Sequence, residues 1–194
     1  MAPATASLVL FAALLLAGPN AKTDDPSIGP TSPGQAVADA VKTYTSAEAA
    51  LVPAGDLSKP IQKGQLATTL NFPDDGVVVL SLSGSQIRQA LERSLLTFPE
   101  PNVGFLQVSG FQINFNKNAE VNSRVTSVTV NGSKLEDAHY YDVAMPTSLQ
   151  RGQLGYSNLW DKAKVVRNFN NATLEGILKG KHSSPSSPRW QEQG

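Results

Sequence analysis

Residues 104–116 read GFLQVSGFQINFN, and the two halves of this stretch ask for different surroundings. From Val108 on, Phe111, Ile113 and Phe115 alternate with Gln112, Asn114 and Asn116, the period of a strand with one buried face. The first half breaks that alternation. Gly104 and Gly110 bracket Phe105, whose place just ahead of the strand puts its ring at a rim rather than inside a sheet.

On the C-terminal side, Arg124 to Val130 reads as a second strand ending at Asn131-Gly132. Asn-Gly is the strongest short hairpin signal, because both central residues of a type I′ turn take positive φ. Tyr140 to Met145 supplies another strand, stopped by Pro146, and Thr173 to Lys179 a short last helix. On the N-terminal side, Ala36, Val37, Ala40 and Val41 stand at helical spacing, Ala47 to Val52 forms a short buried strand, and Pro53-Ala54-Gly55 turns the chain. Val77 to Leu82 is a β-branched run suited to a central strand. The helix begun at Gly84-Ser85 places Ile87, Ala90, Leu91 and Leu95 on one face and Gln86, Gln89, Glu92 and Arg93 on the other, with Ser83 or Ser85 as its cap. Interspersed helices and strands with a β-hairpin predict an α+β class, a single domain built on a mixed β-sheet.

Composition bounds the function. The 194 residues carry 16 basic and 16 acidic side chains, so nothing electrostatic points to a nucleic acid polymer or an anionic membrane surface. With no cysteine, disulfides, thiolate metal sites and Cys nucleophiles are all excluded.

The apolar run Leu8 to Ala17 (LVLFAALLLA), followed by Gly18-Pro19, has the length of a signal-peptide core and predicts export, periplasmic or extracellular, with residues 1–21 as leader. Membrane contact is expected only through an uncleaved leader. Residues 22–34, with three prolines and two glycines, read as a linker, and 181–194 (KHSSPSSPRWQEQG) as a disordered tail, leaving 35–180 as the folded unit.

Most catalytic chemistry is absent from the sequence. The only histidines are His139 and His182, too few for a dinuclear phosphoesterase centre or a Ser-His-Asp set. No Gly-rich loop ends in Lys-Ser/Thr. Asp74-Asp75 is the one tight carboxylate cluster, and its place between Pro73 and Gly76 reads as a turn. No catalytic residue, metal site or cofactor is assigned.

The order of motifs carries more. AALVPAGDLS (49–58), TTLNFPDDGVVVLSLSGSQIRQALE (68–92), GFLQVSGFQINFN (104–116) and VTSVTVNGSKLEDAHYYDVAMPTSLQRGQLGY (125–156) together resemble the C-terminal domain of the 5′-nucleotidase family of nucleotide and UDP-sugar hydrolases. In that family a metallophosphatase domain cleaves, and the C-terminal domain grips the nucleotide, stacking the base between two aromatic rings. The resemblance places Phe105 and Tyr156 at the two ring positions and Asp161 near the sugar or base. Two rings on separate loops make a clamp worth about 1–3 kcal/mol per stacked face.

The departures from the family pattern bear on phosphate. The arginine of the first motif is Ser58, with Lys59 beside it as a point charge only. The asparagine of the Pro-Phe-Gly-Asn element is Asp74, with Pro73 in place of its glycine, and Gly-Gly-Asp-Gly is Gly152-Gln153-Leu154-Gly155. A nucleoside or nucleotide ligand is possible, and three readings stay open: the substrate-gripping half of a split hydrolase, partnered by a separate metallophosphatase chain; a stand-alone module for a nucleoside or other flat ligand that dispenses with phosphate; and a structural domain with no ligand. All three share one expectation. Purified residues 22–194 release no phosphate from AMP or UDP-sugars, and metal-dependent turnover that follows the protein through purification overturns this.

Overall fold

The computed structural model describes residues 24–58, 64–160, 163–184 and 186–193. The leader-like run at 8–17, Lys59 and Asp161 lie outside them. In chain order the elements are α1 (Ser32–Thr45), β1 (Ala49–Pro53), β2 (Gly76–Ser83), α2 (Gly84–Ser94), β3 (Leu106–Ser109), β4 (Phe111–Phe115), β5 (Val125–Val130), β6 (Ser133–Lys134), β7 (Tyr140–Pro146), α3 (Thr147–Gln150), α4 (Ser157–Trp160), β8 (Lys164–Thr173), α5 (Leu174–Leu178) and β9 (Trp190–Glu192). The class is α+β as predicted, but the strands form two mixed sheets, one ordered β3-β1-β7-β2-β8 and the other β6-β5-β4-β9. No helix of the described residues is long and apolar enough to cross a membrane.

The two-residue period of the strands sorts side chains into two cores. In β1, Ala49 and Leu51 face the second sheet and α2, while Ala50 and Val52 face α1 and α5. β2 divides likewise, with Val78, Leu80 and Leu82 on the first side and Val77 and Val79 on the second. The five-stranded sheet is therefore the middle layer, and β1 and β2 are apolar on both faces because both are covered there, whereas the edge strand β8 is largely exposed.

The opening stretch is where the chain changes sheets. β3 is buried at all four positions and pairs antiparallel with β1, whereas β4 alternates and pairs antiparallel with β5. Gly110 between them has φ +80°, and a Cβ there would stand 2.4 Å from the Glu48 carbonyl oxygen. Only glycine fits this corner. The predicted hairpin is the β5–β6 connection, with Asn131 at φ 47° and Gly132 at φ 87°.

α2 starts with a capping box. Ser83 Oγ accepts from the Gln86 N–H (3.2 Å) and Gln86 Oε1 from the Ser83 N–H (3.0 Å), so of the two candidate caps Ser83 is the one used. Glu92, expected on the polar face of α2, is buried. Its carboxylate accepts the N–H groups of Arg124 (3.0 Å) and Val125 (2.7 Å), tying α2 to the start of β5.

Both expected flexible ends are packed where described. Gln107, fully buried on β3, accepts the Thr31 N–H (3.0 Å) and donates to the carbonyls of Pro26 (3.0 Å) and Gly29 (2.9 Å), drawing 26–31 onto the sheet. The helix α1 then begins at Ser32 with Thr31 as its cap, inside the stretch read as linker. At the other end β9 pairs parallel with β4, and Trp190, 2% exposed, donates its indole N–H to the Leu106 carbonyl (3.0 Å). Composition misjudges this tail because one large apolar ring outweighs a run of Ser and Pro once a pocket exists for it. Trp190→Ala should therefore lower stability by about 3–5 kcal/mol in urea unfolding. A tail in solvent would lose less than about 0.5 kcal/mol.

Candidate functional site

The two rings assigned by resemblance both lie inside the core. Phe105 is 2% exposed, with its ring centroid 5.0 Å from that of Trp190. Tyr156 is 0% exposed, donates its hydroxyl to the Gly104 carbonyl (2.6 Å) and stacks on Trp160 at 5.7 Å and 7°. Burial pushes the Tyr156 hydroxyl pKa up beyond its ordinary range, with Ser94 and Arg93 opposing. Neither ring presents a free face, so neither can stack a base without the core opening. The rim expected for Phe105 is closed by Trp190, and the face of Tyr156 is taken by Trp160. Asp161 falls outside the described residues.

A different aromatic stands free. Phe72, in the turn Asn71 to Asp75, is 53% exposed. That turn is fixed by backbone bonds from Asp75 N to the Phe72 carbonyl (3.2 Å) and from Leu174 N to the Asp75 carbonyl (2.9 Å). Asn71 holds it to the neighbouring turn, donating its amide to the carbonyls of Gly55 (3.0 Å) and Leu57 (2.8 Å). Opposite lies the segment 148–155, in which Leu154 takes a left-handed φ of 59°. Arg93 pins that segment, donating Nε (3.0 Å) and Nη2 (2.6 Å) to the Leu154 carbonyl while its guanidinium lies 5.5 Å from the Tyr156 ring centre. Tyr156 thus helps to anchor this segment against the core.

Between turn and segment is an open cavity of about 450 Å³, lined among others by Phe72, Asp74, Asp75, Ser148, Arg151 and Gln153. Its volume suits a small ligand. One aromatic face, one guanidinium, a hydroxyl, an amide and two carboxylates make it a polar cleft with a single flat apolar surface. Among the described residues no group of three or more His, Cys, Asp or Glu could hold a metal ion. Sequence reasoning passed over Phe72 and Arg151. The available signal for Phe72 was its position: a phenyl ring between Asn71 and Pro73-Asp74-Asp75-Gly76 has no core to serve in so polar a turn.

Beside the site is a buried acid. Asp56 is 1% exposed, and its Oδ2 finds no hydrogen-bond partner among the described residues. Burial, with the Asp75 carboxylate adding to it, pushes its pKa from 3.8 up to about 7. Asp75 is itself held in place, accepting the Ser148 N–H at 3.1 Å. Because the folded-state pKa is raised, the folded protein binds the extra proton between about pH 4 and pH 7. Stability is then full below about pH 4, falls as pH rises to about 7, and is flat above, a loss of up to roughly 4 kcal/mol. Urea unfolding from pH 4 to 8 should show this slope, and Asp56→Asn should remove it.

The chain matches the family described as "5′-nucleotidase, C-terminal domain" over residues 13–160. It is 30% identical over 161 residues to the 5′-nucleotidase-related protein of Glossina morsitans morsitans, covering 76% of this chain and 29% of that protein. To Protein 5NUC of Lutzomyia longipalpis it is 28% identical over 152 residues, covering 69% and 26%. The chain thus spans less than a third of the length of these relatives. Among solved structures the fold is similar to a 5′-nucleotidase precursor from Thermus thermophilus, with a TM-score of 0.75 and 21% identity, covering 88% of this chain and 38% of that one. It is also similar to a putative 5′-nucleotidase from Staphylococcus aureus, with a TM-score of 0.67 and 15% identity, covering 86% and 37%. The family match over most of the chain, on the fold described above, makes this protein a member of the 5′-nucleotidase C-terminal domain family.

Proposed function

We propose that this domain is the substrate-gripping half of a 5′-nucleotidase-type hydrolase, and that the cleft between Asn71–Asp75 and Ser148–Gln153 holds the base and sugar of the substrate. The free ring of Phe72 at the edge of a cavity of about 450 Å³ carries the reading. A base offers a π face, and a ring with no core to serve can meet it. Ser148, Gln153 and Arg151 supply the hydrogen-bonding groups that orient a sugar or a heterocycle edge.

Asp74 and Asp75 face the same cleft against Arg151, the one cation among its described lining residues. That balance disfavours a phosphate within the cleft, so the phosphate of a bound nucleotide points outward, toward the metal centre of a metallophosphatase domain that performs the cleavage. The apolar run at 8–17 supports an exported setting for this work, and the Thermus relative is described as a precursor.

Titration with adenosine and AMP, followed by calorimetry, tests the grip. Phe72→Ala should weaken adenosine binding about five- to 150-fold, the equivalent of a stacking contribution of about 1–3 kcal/mol. Tyr44→Ala, which removes another half-exposed ring on α1, should leave binding unchanged. Adenosine should bind at least as tightly as AMP. Binding that ignores Phe72→Ala, or that prefers AMP by about tenfold or more, would overturn the placement of the ligand.

A further inference from the structure

The polar face of α2, which the nucleotide reading leaves unused, forms the floor of an open groove. The loop at Asn122 and the segment Gly155 to Leu159, which runs into α4, stand on either side of it and bound a second, open cavity of about 460 Å³. Arg88, Gln89 and Arg93 line it from the helix, and Leu96 and Leu159 give it an apolar wall. Leu96 is 38% exposed, a large apolar side chain left partly uncovered beside this cavity.

Hydrogen-bonding capacity in this cavity is unbalanced toward donors. Arg93 uses Nε and Nη2 on the Leu154 carbonyl, and Arg88 uses Nε (3.3 Å) and Nη2 (3.2 Å) on Asp137 Oδ1. Each guanidinium therefore keeps an Nη1 with no partner among the described residues. The Arg88–Asp137 pair is long and half in solvent, with side-chain exposures of 33% and 64%, so it yields readily to a better acceptor. Among the described lining residues the carboxylate is that of Glu92, already engaged by the N–H groups of Arg124 and Val125. Arg124 adds a further positive charge on the far side of Glu92, its guanidinium donating to the carbonyls of Leu95 and Phe98.

We propose that this cavity is a binding site for a small organic anion, a carboxylate joined to a short apolar segment, with Arg88 and Arg93 receiving the charge and Leu96 and Leu159 covering the hydrocarbon. Two guanidinium groups match a carboxylate in geometry as well as charge. The apolar wall separates this ligand class from a bare inorganic anion. The site shares no lining residue with the Phe72 cleft, although Arg93 also holds the segment that forms a wall of that cleft.

The test uses the 194-residue chain, labelled with ¹⁵N, and sodium hexanoate, 1-hexanol and inorganic phosphate as probes. Hexanoate should shift the amide resonances of Gly155 and Asn158 and the Arg93 Nε–H, saturably. Hexanol and phosphate should each bind about tenfold more weakly or not at all, since each lacks one half of the recognition. Arg88→Gln and Leu96→Asp, both partly exposed and tolerable to the fold, should each reduce hexanoate affinity about tenfold. Phe72→Ala should leave it unchanged, which separates this site from the nucleoside cleft. No saturable shift with hexanoate, an equal response to hexanol or to phosphate, or indifference to both substitutions overturns the proposal.

Discussion

The corner at Gly110 is the constraint on which the two-sheet arrangement rests. There a Cβ would stand 2.4 Å from the Glu48 carbonyl oxygen, and there the backbone leaves the five-stranded sheet and enters the four-stranded one. The Gly110 carbonyl also accepts the Asn131 N–H (2.9 Å), so the corner and the Asn-Gly hairpin are built against each other. This crossing lays β4 and β5 over the inner face of the middle sheet, and it makes one shared core of Leu51, Leu80, Val108, Phe111 and Ile113. A side chain at this position would have to move backbone rather than the end of a flexible group.

From that core the cleft inherits its rigidity. Arg93 reaches from α2 to the Leu154 carbonyl, and Tyr156 reaches from the same segment to the Gly104 carbonyl, so an irregular loop is held at two points by buried or half-buried donors. The turn that carries Phe72 is held in turn by Asn71 and by α5. Asp56 works in the other direction. A carboxyl group buried with no partner for Oδ2 among the described residues makes the folded state less favourable at neutral pH, and its neighbour Asp75 lines the cleft.

Local pattern makes some elements legible and leaves others hidden. α2 is readable because Ile87, Ala90, Leu91 and Leu95 repeat at helical spacing and Ser83 caps them. β8, Lys164 to Thr173, escapes a reading of the sequence because Asn168, Asn170 and Asn171 interrupt its apolar residues and most of it is exposed; β2 holds it through backbone bonds across two register shifts. Periodicity puts Glu92 on the solvent face, because a period of 3.6 cannot show that two backbone amides at the start of β5 wait there. The motif order still identifies the family, since spacing between turns, strands and helices survives when individual side chains change.

The sequence by itself determined the α+β class, the Asn-Gly hairpin, the break in pattern at 104–116 and the family. These depend on short-range periodicity and on glycine or proline at fixed places, which the chain carries within a few residues. Tertiary structure alone decided which of Phe72 and Phe105 is free. Phe105 and Phe72 each stand in a turn-rich stretch, yet Trp190, from a strand 84 residues beyond its own hydrogen-bond partner Leu106, covers Phe105, and nothing comparable among the described residues covers Phe72. Burial is the sum of what distant segments bring to one place, and no local reading of residues contains that sum.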